Sequence, residues 1–265
     1  MGHQRLGSPP ASKNLPQIVK MLVARETSTS DLVDAITEEC SAALKRALKD
    51  AAFVEALWLF VRLPQAARSV DFAAALQAIG IRVPAAPSVT DIAIGFDTAV
   101  ESAQRKSGAD ITDLSEMARQ TGIAALSSLA EERLPSLWEP SHEDVRTTLA
   151  TFCGPEKFGE ISQRFFTGFV ERTTHYFLDR ELPRHVGSDK LVHSVGDLAA
   201  FDGAVRRHCA EATVIMRTFA RDWLGKNAFH EGKNISRDDV VGFAAHASEK
   251  IRKELSIRSR GHATV

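Results

Sequence analysis

Three side chains that can bind a metal ion or transfer a proton recur at a spacing of four residues. They are Glu171, His175 and Asp179. Because residues four apart lie on one stripe of an α-helix, the imidazole would stand between two carboxylates. Such a stripe predicts a divalent-cation site or a tuned general base. A solvated polar face with ion pairs one turn apart is the alternative, since a metal site needs a further ligand from another helix.

A second candidate pair is Arg180 and His185, in the segment Arg-Glu-Leu-Pro-Arg-His. This spacing resembles the Arg-x(4–6)-His motif of HEPN ribonucleases, which are all-helical. The resemblance implies that the two side chains promote attack by the 2′-hydroxyl group of RNA. The segment departs from the motif at Pro183, which should end the helix, and at Glu181, which follows the arginine at a usually polar position. A helix C-terminus whose dipole is complemented by arginines explains the same residues.

A basic segment near the C-terminus could contact phosphate groups. Its cations are Lys250, Arg252, Lys253, Arg258 and Arg260. The segment lacks interleaved aromatic residues, and it also carries acids at positions 249 and 254. The exposed end of an amphipathic helix is therefore the alternative to a nucleic-acid surface.

Several enzyme motifs are absent from the sequence. It contains no Gly-x-x-x-x-Gly-Lys-Ser/Thr loop, no Gly-x-Gly-x-x-Gly after a strand and no Gly-x-Ser-x-Gly turn. We therefore expect neither nucleotide hydrolysis nor α/β-hydrolase chemistry, and we expect no cofactor.

The elements that must position these residues are predicted to be helices. A serine followed three residues later by an acid is a helix-start signal, because the hydroxyl accepts a hydrogen bond from an otherwise unpaired backbone N–H. Five such pairs occur: Ser28/Asp31, Ser88/Asp91, Ser141/Asp144, Ser194/Asp197 and Ser236/Asp239. Apolar residues between them follow spacings of three and four, without strand-like runs of Val and Ile. The sequence therefore predicts an all-α fold.

The predicted fold is a multi-helix bundle of about nine helices. Their approximate ranges are 15–25, 30–50, 52–62, 65–79, 89–105, 112–133, 142–152, 156–180, 195–224 and 236–257. The second and third ranges could form one bent helix, because nothing at Asp50-Ala51 requires a break.

Proline-rich linkers and a change in composition suggest two helical subdomains. Of the 14 Phe residues, 10 lie between Phe152 and Phe243, whereas the first half is rich in Ala. We predict a tail over 1–13, an N-terminal subdomain over 14–135 and an aromatic-rich C-terminal subdomain over 141–258. A single continuous helical array is the alternative.

The composition excludes several classes of protein. The chain has 265 residues, with 33 Lys and Arg against 34 Asp and Glu and a hydrophobic fraction of 44%. This balance argues against a dedicated nucleic-acid coat and against wholesale disorder. Glu55 interrupts the best apolar run, so we expect no membrane span.

The cysteines and the N-terminus point to a cytoplasmic protein. Cys40, Cys153 and Cys209 form neither a disulfide framework nor a Cys-x-x-Cys zinc motif, which is typical of a reducing compartment. Residues 1–10 lack the apolar core of a secretory signal.

Four segments of the C-terminal half are similar to an uncharacterised family of bacterial all-helical accessory proteins: His175–Gly187, His208–Glu211, Phe219–Trp223 and Lys250–Leu255. The resemblance implies no activity. It implies an accessory subunit of a bacterial assembly, of which an anti-phage defence system is one example. We therefore expect a non-enzymatic interaction or scaffold subunit that binds other proteins or itself. A ribonuclease using Arg180 and His185, a metal-dependent enzyme and a weak nucleic-acid-binding protein are the alternatives.

Overall fold

The computed structural model of the chain describes residues 38, 41–109, 111–134, 140–181, 195–230, 232 and 234–261. This part of the chain is 81% helical, contains no strand and has nine helices. The all-α prediction is confirmed. The helices are α1 (Ala51–Ala66), α2 (Phe72–Ala78), α3 (Val89–Lys106), α4 (Asp113–Glu131), α5 (His142–Ala150), α6 (Pro155–Glu181), α7 (Val195–Thr213), α8 (Ile215–Leu224) and α9 (Arg237–Gly261).

Three of the predicted helix starts are confirmed by reciprocal hydrogen bonds. Ser88, Ser141 and Ser236 each accept a bond from the backbone N–H of the acid three residues later. Each of those acids accepts a bond from the backbone N–H of its serine. Each reciprocal pair of bonds is a capping box, and the three capping boxes begin α3, α5 and α9. Ser28/Asp31 and Ser194 lie outside the described residues.

A break at Asp50 separates α1 from the helical residues 41–47. One carboxylate oxygen of Asp50 accepts hydrogen bonds from the backbone N–H groups of Ala52 and Phe53, at 2.9 and 3.2 Å. The other accepts bonds from the hydroxyls of Thr112 and Ser115, at 3.0 and 2.6 Å. Asp50 therefore caps α1 and ties it to the start of α4, so the ranges 30–50 and 52–62 are not one helix.

Three helix boundaries differ from the sequence prediction. The predicted helix 65–79 begins only at Phe72, as α2. Helix α1 continues through Pro64 to Ala66, because the backbone N–H of Ala67 still bonds to the Leu63 carbonyl. The predicted helix 195–224 divides at Val214, which keeps helical backbone angles. Beside it the Thr213 hydroxyl bonds to the carbonyl of Cys209. Helices α7 and α8 are therefore joined by the single residue Val214 rather than by a loop.

Helix α6 supplies the centre of an aromatic core. The ring of Phe53 from α1 lies 5.2 Å from Phe165 and 4.9 Å from Phe169, measured between centroids. On the other side, Phe166 lies 6.2 Å from Phe243 of α9. Side chains from both sides of positions 134–141 thus share one cluster. Residues 1–13 and 135–139 are outside the described part, and the predicted subdomain boundaries stay predictions.

Within the described residues, no helix has both the length and the apolar character needed to cross a lipid bilayer.

Candidate functional site

A bidentate ion pair joins α1 to α9. The guanidinium of Arg237 lies 2.5 and 2.7 Å from the two carboxylate oxygens of Glu55, whose side chain is only 5% exposed. The same guanidinium stacks 3.7 Å from the centroid of Trp58. The indole N–H donates to the Ile235 carbonyl at 3.2 Å. Hydrogen bonding to Glu55 raises the pKa of Arg237. We call Glu55, Trp58 and Arg237 the clasp.

A groove of about 1000 Å³ opens beside the clasp, between α1, the end of α2, α3 and the start of α9. Its apolar lining residues are Leu48, Ala51, Val54, Trp58, Ala78, Ile79, Ala99, Ala103 and Val241. Val241 is 36% exposed, which is high for a branched apolar side chain on a packed helix. We call this depression the clasp groove.

Three cations at the edge of the clasp groove, Lys49, Arg82 and Lys106, form no ion pair with any residue that the structure describes. The neighbouring Arg105 is paired with Glu101 at 2.8 Å. Of the three carboxylates that line the groove, Asp238 is exposed, and Glu55 is neutralised by Arg237. Asp50 accepts the four hydrogen bonds described above. The free charge of the groove is therefore mainly positive.

Local structure explains where these cations stand. Lys49 directly precedes the capping residue of α1, and Lys106 is the last residue of α3. Two residues beyond the end of α2 lies Gly80, whose φ of 91° is readily adopted only by glycine. The N–H groups of Gly80 and Ile81 bond to the carbonyls of Gln77 and Leu76. This is a Schellman ending, and it turns the chain so that buried Ile81 anchors Arg82.

A second groove, of about 720 Å³, lies between α4 and α6. Its charges are mostly paired across the helices. Arg164 makes a two-point contact with Glu132, at 2.8 and 2.7 Å. Glu160 meets three cations: Lys157 at 2.6 Å, Arg217 at 3.0 Å and Arg133 at 3.6 Å. These contacts hold helices together and leave less free charge than the clasp groove has.

The predicted stripe of Glu171, His175 and Asp179 lies partly against α7. The Glu171 carboxylate is 3.4 Å from Arg206, and the His175 Nε2 atom is 3.3 Å from Asp202. The side chain of Asp179 lies outside the described residues. Among the side chains that are described, no three His, Cys, Asp or Glu residues are grouped to hold a metal. The metal site stays a prediction.

The predicted ribonuclease pair, Arg180 and His185, lies largely outside the described residues. The backbone of α6 extends through Arg180 to Glu181. The side chain of Arg180 and all of residues 182–190, including His185, lie outside the described part. The pair therefore stays a prediction.

The basic C-terminal segment belongs to α9. Lys250 lies 5.1 Å from the ring centroid of Phe219, and Lys253 pairs with Glu249 at 3.2 Å. The opposite face of the helix is buried through Phe243, Ala244, Ala247, Ile251 and Leu255. Arg252 is partly buried, and the side chains of Arg258 and Arg260 lie outside the described residues. The nucleic-acid surface stays a prediction.

The two described cysteines have different surroundings. Burial raises the pKa of Cys209 to about 11, so its thiol stays protonated near neutral pH. Cys153 is partly exposed, and its sulfur lies 3.9 Å from the guanidinium of Arg68.

The clasp was missed by the sequence analysis because its ion pair joins residues 182 positions apart. One signal pointed toward it. A single acid inside the apolar run from Ala51 to Val61 is costly to bury without a partner. Glu55 therefore required a cation, but its position in the sequence does not indicate which one.

Comparisons of the chain with known protein families, with characterised proteins and with solved structures give no significant match. The class that the fold and site define is an all-helical bundle with a positively charged groove between α1, α3 and α9. The resemblance of the C-terminal half stays a prediction.

Proposed function

We propose that this chain is a non-enzymatic helical interaction subunit, which binds another protein through the clasp groove. The observation that carries the proposal is a groove lined both by apolar side chains and by Lys49, Arg82 and Lys106, three cations without an ion pair to any described residue. A mixture of apolar and polar surface is typical of non-obligate protein interfaces. The proposed setting is a multi-protein assembly in the bacterial cytoplasm, such as an anti-phage system. That setting rests on the scattered cysteines and on the C-terminal resemblance.

The chemistry of the clasp groove favours binding over catalysis. No histidine or cysteine is among its described lining residues. Glu55 is occupied by Arg237, and Asp50 by hydrogen bonds from α1 and α4. The hydroxyl of Ser107 donates to the Gln104 carbonyl rather than to a base. A nucleophile would therefore lack the adjacent general base that activates it.

Site-specific photo-crosslinking in the producing cells tests the proposal. A photo-reactive amino acid at Thr98, an exposed groove residue, should form discrete adducts with one or a few proteins. The matched control is the same amino acid at Thr147, which is exposed on α5 away from the groove. Absence of adducts at Thr98, or the same adducts at both positions, would contradict the proposal.

The ribonuclease alternative has its own test. The full chain is incubated with single-stranded RNA, with and without Mn²⁺, beside a His185→Ala variant. Cleavage that His185→Ala abolishes would replace the interaction proposal with the enzymatic one. The expected result is no cleavage by either protein.

A further inference from the structure

We infer that the clasp groove recognises an acidic amphipathic segment of its partner protein, an inference that rests on the proposed function. The first argument is charge. Lys49, Arg82 and Lys106 come from three different elements and line one groove without an ion pair to any described residue. Carboxylates of a bound segment would complement them, and such complementarity increases association rate and specificity.

The second argument is the apolar part of the groove lining. Val54, Trp58 and Val241 line the same groove as the cations. A purely acidic segment would leave these apolar side chains exposed to water, whereas an amphipathic segment would cover them with its own apolar side chains. The helix-in-groove mode of peptide recognition has this combination of apolar anchors and flanking charges.

The same lining argues against nucleic acid as the occupant. Three free cations would neutralise few phosphates. Trp58 is the only aromatic side chain among the described lining residues, and it already stacks on the guanidinium of Arg237, so it is a poor platform for a base. A protein segment therefore fits the groove better.

Fluorescence anisotropy with synthetic peptides tests the inference on the full chain. The probe is a labelled helical peptide of about four turns, with Leu on one face and Glu on the other. The comparison peptide has Gln in place of every Glu. The Glu peptide should bind at least about tenfold more tightly, and its affinity should fall as salt is raised.

Charge-reversal variants test whether the Glu peptide binds in the clasp groove. A variant with Lys49→Glu, Arg82→Glu and Lys106→Glu should lose about tenfold or more in affinity for the Glu peptide. The matched control reverses three exposed cations elsewhere, with the changes Arg207→Glu, Lys226→Glu and Lys250→Glu. This control has the same net charge as the groove variant and should bind the Glu peptide like the wild type. Circular dichroism checks that both variants are folded, and the milder Lys→Gln and Arg→Gln versions should give an intermediate loss.

Three results would overturn the inference: equal binding of the Glu and Gln peptides, equal losses in the two triple variants, or tighter groove-dependent binding of an oligothymidine than of the Glu peptide. The crosslinking experiment at Thr98 shows whether such a result overturns only the acidic partner or also the proposed function. Protein adducts at Thr98 without a preference for acidic peptides would overturn the acidic partner alone. Absence of adducts would overturn the interaction role itself.

Discussion

At the residue scale, the Glu55 carboxylate is the group whose surroundings matter most for the candidate site. It is almost fully buried, and its two oxygens are satisfied by one guanidinium. A buried carboxylate that loses its cation is left with an uncompensated charge. The clasp is therefore a sensitive point for both the stability of the bundle and the shape of the groove.

Replacing the cation of the clasp should destabilise the protein. Because the Arg237 side chain is 52% exposed, we expect Arg237→Met to lower the free energy of unfolding by about 2 kcal/mol, below the 3–5 kcal/mol typical of fully buried pairs. The double variant Glu55→Leu with Arg237→Met should recover most of that loss. Urea denaturation measures both. Arg207→Met is the exposed control, and an equal effect there would contradict the role of the clasp.

The capping box of α3, formed by Ser88 and Asp91, predicts that the stability of the protein depends on pH. Hydrogen bonds from the hydroxyl and backbone N–H of Ser88 hold the pKa of Asp91 below its usual value. A carboxyl group whose pKa is lowered by folding stabilises the folded protein at pH values above its unfolded-state pKa of about 3.9. This stabilisation is lost as the pH falls through the folded-state pKa.

Asp91→Ala should therefore lower the melting temperature near neutral pH, and its difference from wild type should shrink as the pH falls below about 4. Thermal unfolding followed by circular dichroism over that pH range measures the effect. Glu131→Ala, at an exposed position that ends α4, is the control. A difference that does not change with pH would show that the carboxylate does not act as a charged cap.

At the scale of elements, the groove depends on how the loop between α2 and α3 rests on α3. The contact is at Gly95, where an added Cβ would lie 2.8 Å from a methyl carbon of Ile81 and 2.9 Å from the Arg82 carbonyl oxygen. These distances are too short for a real side chain, so the loop that carries Arg82 approaches α3 because position 95 has none.

Gly95→Ala should therefore lower the free energy of unfolding by about 1–3 kcal/mol, although Ala has the higher helix propensity. It should also weaken binding of the acidic peptide, because the loop carrying Arg82 must shift. Gly242→Ala is the matched control, since a Cβ there meets nothing within 4 Å. That substitution should stabilise α9 by up to about 1 kcal/mol. Equal effects of the two substitutions in chemical denaturation would contradict the close approach.

At the scale of the whole molecule, the aromatic core connects helices from both halves of the chain. Phe53 of α1 is fully buried and contacts Phe165, Phe166 and Phe169 of α6. A core shared in this way couples the stability of the two halves.

Phe53→Ala should lower the free energy of unfolding by about 3–5 kcal/mol, because it leaves a cavity among aromatic rings. Hydrogen exchange should speed up in α4 and α6 alike, on both sides of residues 135–139. Ile94→Ala, at a position 61% exposed, is the control and should change little. Faster exchange in α4 with α6 unchanged would instead favour two independent subdomains.

Much of the fold could be predicted because its signals are local. The serine caps at positions 88, 141 and 236 and the apolar face of α6 depend on residues three or four apart, which one helical turn brings together. The break at Asp50 was left open, although Asp is a preferred N-cap residue and its bonds to Ala52 and Phe53 are local. Only its bonds to the hydroxyls of Thr112 and Ser115, more than 60 positions away, needed the tertiary structure.

The sequence by itself determined the all-α class, most helix starts and the faces that are buried, because these follow from local hydrogen bonding and apolar periodicity. Only the tertiary structure decided that Glu55 meets Arg237 and that Lys49, Arg82 and Lys106 line one groove. These contacts join distant parts of the chain, and no periodicity encodes which helices become neighbours. The candidate site is therefore a surface formed by helix packing, and spacing along the sequence does not reveal it.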